Sequence, residues 1–180
     1  ADAKDHGHML LLDSCLNHTP PAQSGRRRVL IEIGTTRELM LGQGSTQKLA
    51  EMCNDFGLHF ITVDMDPRNT RNAARMFARE GYAFEAVPAQ GEDFLAEYDG
   101  LIDYVFLDAY DFDHGNHSEI RQDRYEKFLG SRIEEAQCHQ MHLDCAQSLV
   151  RKLTPDGLIS FDDTWTDAAG EWTAKGKTAM

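Results

Sequence analysis

Arg28-Val29-Leu30-Ile31-Glu32-Ile33-Gly34-Thr35 is a short apolar run that ends in an acid and a glycine. A second run, Phe60-Ile61-Thr62-Val63-Asp64-Met65-Asp66-Pro67, ends in acids as well. The segment between them has the period of one helix. Strand, glycine turn, helix and a second strand closed by an acid make the first half of a nucleotide-type βαβ unit. Ligands of such sheets lie outside the carboxyl ends of the strands. The residues at each strand end therefore decide what the chain can bind.

Working outward, Val29–Ile33 is apolar without alternation, as suits a strand covered on both faces. Ser45 or Thr46 is expected to cap the next helix, whose inner positions are Leu49, Met52, Cys53 and Phe56, with Gly57 as its stop. The second strand covers about His59 to Val63. Asp66-Pro67 opens another helix, with Asp as cap and Pro in the first turn, and Gly81 ends it. A third strand is expected near Ala83–Val87, and a short helix after Gln90-Gly91-Glu92-Asp93. The strongly apolar fourth strand, Ile102–Leu107, stops at Asp108-Ala109-Tyr110-Asp111. A helix near Ser118–Leu129 and a long one from about Ser131 to Leu153 follow. Thr154-Pro155-Asp156-Gly157 reads as a breaker, and Leu158–Phe161 as a fifth strand closed by Asp162-Asp163. Strands alternating with helices predict an α/β, doubly wound, mostly parallel Rossmann-like sheet. Residues 1–27 are polar and read as a flexible N-terminal arm, and residues 28–180 as one domain.

Composition narrows the function. The net charge is -12, the opposite of the basic footprint that a nucleic-acid surface needs. Arg26-Arg27-Arg28 is the one basic cluster and reads as a solvated lead-in to the first strand. No apolar run approaches the ~18 residues of a membrane span. Four scattered cysteines are too few for a disulfide scaffold and indicate reduced thiols and a cytoplasmic setting.

The strand ends offer Glu32/Gly34, Asp64/Asp66, Gln90 to Asp93, Asp108/Asp111 and Asp162/Asp163. An acid at the end of the second strand is suited to the hydroxyls of a ribose. The first loop has Gly34, Thr36 and Leu39 where the dinucleotide fingerprint needs three glycines, and it lacks the Gly-Lys-Ser/Thr of a phosphate loop. The expected ligand is nucleoside-like and has no pyrophosphate.

At this point the chain resembles the class I S-adenosylmethionine-dependent methyltransferases over about residues 28–165. The resemblance rests on Val29-Leu30-Ile31-Glu32-Ile33-Gly34, Thr62-Val63-Asp64-Met65-Asp66-Pro67, Ile102 to Asp108, and Leu153 to Asp163, in that order and spacing. Within that class it looks most like the metal-dependent O-methyltransferases of the catechol and macrolide-sugar types. The resemblance implies S-adenosylmethionine in a pocket lined by Glu32, Gly34, Ser45, Asp64, Met65, Gly91, Glu92 and Asp108. It also implies Mg²⁺, or another divalent metal, on Asp108, Asp162 and Asp163. Such a hard ion takes carboxylate oxygens and lowers the pKa of a bound hydroxyl. The implied reaction is methyl transfer to a hydroxylated small molecule. A non-catalytic interaction module and a fold-related metal-dependent hydroxylase are the alternatives.

The sequence departs from that family in three places. The loop from Gly34 to Gly44 is long. Asp111 stands where the catechol-type group places a lysine, so Asp111, His114 or His117 is the expected proton acceptor. The chain reaches Met180 before the usual antiparallel sixth and seventh strands, so a sheet lacking them is expected. Cys138, His142 and Cys145 share one helical face and read as core rather than as a zinc site. Tyr125, Phe128 and Leu129 read as either a lid or an oligomer contact.

Overall fold

The computed structural model describes residues 7–18, 25–37, 44–110 and 119–180. Five strands form one parallel sheet: β1 (Val29–Ile33), β2 (His59–Asp64), β3 (Glu85–Pro88), β4 (Ile102–Leu107) and β5 (Leu153–Phe161). Their order is β3-β2-β1-β4-β5. All five carboxyl ends therefore meet at one edge, and the order reverses between β1 and β4. A crevice forms at such a reversal because the crossovers on either side leave in opposite directions.

Alternation along the strands divides the core in two. Leu30, Phe60, Tyr104 and Phe106 face α1 (Gly7–His18), α2 (Ser45–Asp55) and α3 (Pro67–Glu80), where they pack with Leu11, Leu49, Cys53 and Phe77. Ile31, Ile33, Val63, Val105 and Leu107 face α4 (Gly91–Glu97) and α6 (Glu135–Leu149), where they meet Leu95, Met141, Cys145 and Leu149; α5 (Glu119–Leu129) lies between these two helices in the chain. The central strands lie under helices on both faces, which is why they read as continuous apolar runs. None of the helices among the described residues is long and apolar enough to cross a membrane.

The caps of α3 match the sequence. Asp66 accepts the Arg68 N–H at 2.9 Å, Pro67 opens the helix, and Gly81 closes it in the left-handed conformation. Elsewhere the structure corrects the sequence reading. Residues 7–18, inside the expected polar arm, form a helix. Leu11 and Cys15 sink into the core, and Ser160 Oγ donates to the Gly7 carbonyl at 2.7 Å. Helix α6 starts later than residue 131, because the Gln122 side chain takes both the N–H and the carbonyl of Ile133. Glu134 and Gln137 then form a capping box. The 154–157 breaker lies within β5: Ile102 pairs with Leu153 and Tyr104 with Leu158, so the intervening residues bulge out of register. After the sheet, β6 (Thr164–Thr166) and β7 (Trp172–Ala174) form a separate antiparallel hairpin.

The arginine cluster is structural, not merely solvated. The Arg26 guanidinium holds both oxygens of Asp103, at 2.7 and 2.8 Å, and Asp103 also accepts the Val29 N–H at 2.8 Å. Arg27 donates to the Gly57 and Leu58 carbonyls. These bonds tie β1 to β4 and to the start of β2 at the edge opposite the crevice.

Candidate active site

A cleft of about 200 Å³ opens at the carboxyl ends of β1, β2 and β4. Its floor is the turn after β1. Gly34 has φ +102°, and a β-carbon there would lie 2.1 Å from the Asp108 carbonyl oxygen. The close approach is held by two backbone bonds, Gly34 N–H to the Val63 carbonyl and Asp108 N–H to the Ile33 carbonyl, each 2.8 Å. A second close approach seats α4: a β-carbon on Gly91 would lie 2.2 Å from Ile33 Cγ2. Glycine at both positions lets the backbone itself form the wall of the cleft.

Behind this floor Glu32 is fully buried. Its Oε1 accepts from Ser45 Oγ, and its Oε2 accepts from the hydroxyls of Thr46 and Thr62, all at 2.7 Å. Burial pushes its carboxyl up to about 7, against the pull of these three bonds. Glu32 is thus a hub that joins β1, β2 and the start of α2. Ser45 and Thr46 do not cap α2 as expected, because their hydroxyls turn to Glu32. Thr36 Oγ1 takes the Thr46 N–H instead, at 3.1 Å, and the Thr36 N–H donates to Thr46 Oγ1 at 2.8 Å. The two ends of the long glycine loop are clasped together in this way.

Asp64 faces the cleft from the end of β2. Its oxygens accept from the Asp66 N–H at 2.7 Å and from Asn69 Nδ2 at 3.0 Å. Burial raises its pKa despite those bonds. Met65, Gln90, Gly91, Tyr110, Arg121, Arg124 and Tyr125 also line the cleft. Arg124 also reaches back toward Asp66, at 3.6 Å.

Of the residues expected to line a cofactor pocket, Gly34, Ser45, Asp64, Met65, Gly91 and Asp108 do border the cleft. Glu32 lies behind it. Glu92 is not among its lining residues: its Oε1 accepts from the Tyr110 hydroxyl at 3.1 Å, and burial raises its pKa. Asp111, His114 and His117 fall outside the described residues. Thr36, Arg121 and Arg124 had not been expected at the cleft. Thr36 reaches it from the glycine loop, and Arg121 and Arg124 from the helix of Tyr125, which in sequence reads as either a lid or an oligomer contact.

Asp108, Asp162 and Asp163 converge, with carboxylate oxygens within 4.8 Å of one another. The donor set has the composition for a divalent ion, but one oxygen of each acid already has a partner. Lys175 Nζ lies 2.6 Å from Asp108 Oδ1 and 3.1 Å from Asp163 Oδ2. The Gly7 N–H donates to Asp162 Oδ1 at 2.9 Å. Burial pushes Asp108 up to about 6; Lys175 opposes the shift and Asp162 adds to it. The arrangement does not fit a resident metal without displacing an ammonium group.

On α6, Cys138, His142 and Cys145 are buried and serve as core. The His142 Nδ1–H donates to the Cys138 carbonyl at 2.7 Å, and burial lowers the imidazole to about 4.

Neither a family model nor a curated protein matches the chain. Solved structures do share its fold. It is similar to the Thermus thermophilus 16S rRNA methyltransferase RsmC in complex with AdoMet and guanosine, with TM-score 0.51 and 16% identity over 92% of this chain and 36% of that one. It is similar to a methyltransferase homolog from Pyrococcus horikoshii, with TM-score 0.50 and 14% identity over 74% of this chain and 38% of that one. TrmN from Thermus thermophilus gives TM-score 0.50 and 12% identity, over 84% and 37%. The chain spans little more than a third of each of these proteins. The fold is the Rossmann-like sheet on which methyltransferases are built.

Proposed function

We propose that this chain binds S-adenosylmethionine and transfers its methyl group to a hydroxyl of a small molecule. One observation carries the reading: the Asp64 carboxylate opens into a cleft at the strand-order reversal, beside the backbone turn at Gly34. A carboxylate there accepts hydrogen bonds from a ribose diol. The bare glycine turn leaves room for a chain of atoms to pass close to the backbone. The cofactor supplies an electrophilic methyl on a sulfonium. The protein's part is to hold the acceptor oxygen in line with it and to exclude water.

Gly34, Asp64, Met65, Gln90 and Gly91 form the cofactor side of the cleft. Tyr110, Arg121, Arg124 and Tyr125 form the acceptor side. Asp111 follows Tyr110 in the chain and, with His114, is the group to test for removal of the hydroxyl proton. A small acceptor accords with the net charge of -12, which disfavours a nucleic acid. A cytoplasmic setting belongs to the same proposal. The proposed transfer needs no metal, because the Lys175 ammonium already stands within the acid cluster.

The test is calorimetric titration of S-adenosylhomocysteine into wild type and Asp64→Ala. Loss of hydrogen bonds to a charged group predicts weakening by roughly tenfold to a hundredfold. Labelled cofactor with vicinal diols, catechols and sugars then identifies the acceptor. Absence of binding in the wild type would overturn the enzyme reading and leave the interaction module.

A further inference from the structure

The groups around Asp108 are more elaborate than a chance surface ion pair. Lys175 is 3% exposed and sits immediately after the hairpin of β6 and β7. Two non-glycine residues beside it hold left-handed backbone, Asp163 at φ 43° and Ala174 at φ 67°. Such conformations persist only where surrounding contacts over-determine them. The contacts are present: the Lys175 N–H donates to the Asp163 carbonyl at 3.1 Å, the Gly176 N–H to Thr164 Oγ1 at 2.9 Å, and Thr164 Oγ1 to the Asp162 carbonyl at 3.0 Å. The hairpin folds so that the Lys175 ammonium enters the acid cluster.

We infer that the Lys175 ammonium is the resident cation of the Asp108–Asp162–Asp163 cluster, standing where a divalent ion would stand, and that it fixes the Asp108 carboxylate at the cleft without a metal. Three carboxylates with oxygens this close repel one another and need positive charge between them. A tethered ammonium supplies one unit, and the Gly7 N–H satisfies an oxygen of Asp162. A divalent ion competes for the same oxygens and cannot share them with Nζ at these distances. Lys175 acts through Asp108 and is therefore a positioning residue. The inference concerns cation binding and does not depend on methyl transfer.

The test measures Mn²⁺ binding to the full chain, by loss of the free-ion electron paramagnetic resonance signal, together with thermal unfolding with and without Mn²⁺. Wild type is expected to bind no Mn²⁺ at millimolar concentration and to melt unchanged. Lys175→Met removes the charge and keeps the stem. It is expected to melt lower, to bind one Mn²⁺ more tightly than wild type by roughly an order of magnitude or more, as added site charge dictates, and to regain stability only with the metal. Adding Asp163→Asn should abolish that site. A merely structural lysine would give no rescue by metal. Micromolar binding of Mn²⁺ by wild type, lost in Asp162→Asn, overturns the inference, and so does a Lys175→Met protein that gains no site. If Lys175→Met fails to fold, Lys175→Gln takes its place, and the wild-type titration retains its power to overturn.

Discussion

The α-carbon of Gly34 lies so close to Asp108 that a β-carbon would sit 2.1 Å from the Asp108 carbonyl oxygen. The obstacle is backbone, so no side chain can rotate away. The turn after β1 and the end of β4 are thus fixed against each other at the floor of the cleft. Gly34→Ala adds both this clash and a strained φ of +102°. The variant should lose at least about 2 kcal/mol of stability, read from its urea midpoint. It should also bind S-adenosylhomocysteine more weakly. Wild-type stability in this variant would show that the turn is not held as described.

Glu32 gives a pH prediction of definite sign. Its folded-state pKa, about 7, lies above its ordinary 4.5. Its contribution to stability is therefore complete below about 4.5 and is lost as the pH rises through about 7. A shift of this size corresponds to roughly 3 kcal/mol. Glu32→Gln does not titrate and keeps an oxygen and a donor for the surrounding hydroxyls. The stability of Glu32→Gln relative to wild type should rise by about 2 to 3 kcal/mol between pH 5 and pH 8, measured by urea unfolding. Parallel pH curves for the two proteins would refute the assignment.

Asp66 caps α3 and also faces Arg68 and Arg124. Asp66→Ala should cost about 1 to 2 kcal/mol, read from the melting temperature. Asp66→Asn keeps the capping oxygen and should recover most of that loss. Equal losses in both variants would place the stabilisation in the ion pairs instead.

Arg26 and Asp103 form a bidentate pair, and the Asp103 side chain is only 10% exposed. A double-mutant cycle with Arg26→Ala and Asp103→Ala should return a coupling of about 1 to 2 kcal/mol, because each single change strands the partner. Additive losses would mean that water replaces the guanidinium without cost.

Much of this fold can be read directly from the residues. Val29–Ile33, His59–Val63 and Ile102–Leu107 are covered on both faces and so are apolar at most positions, with Glu32, Thr62 and Asp103 as buried polar exceptions. Asp66-Pro67 and Gly81 mark α3 through backbone chemistry alone. Helix α1 stayed hidden because its burial rests on few residues, Leu11 and Cys15 foremost, within a polar stretch. Residues 154–157 have turn composition, yet neighbouring β4 holds the strand on either side of them. Strands of three residues, such as β6 and β7, are too short to show a period.

The site was legible to the same degree and for the same reason. Strand-end positions such as Asp64 and Asp108 follow from the sheet. Glu32 was expected to touch the ligand, and its true partners, Ser45, Thr46 and Thr62, come from two other segments. Lys175 lies 67 residues from Asp108, and no spacing rule reaches that far.

The clamp of Arg26 on Asp103 has a consequence for how this protein can change. It sits at the amino-terminal rim of the sheet, while the cleft sits at the other rim, about 17 Å away by the rise of a five-residue strand. Strand alignment is therefore anchored at this rim as well as at the Gly34–Asp108 contact. Side chains that line the cleft without joining either anchor, such as Met65 and Gln90, can be exchanged without loosening the register beneath them, so what the cleft binds can change while the frame stays intact.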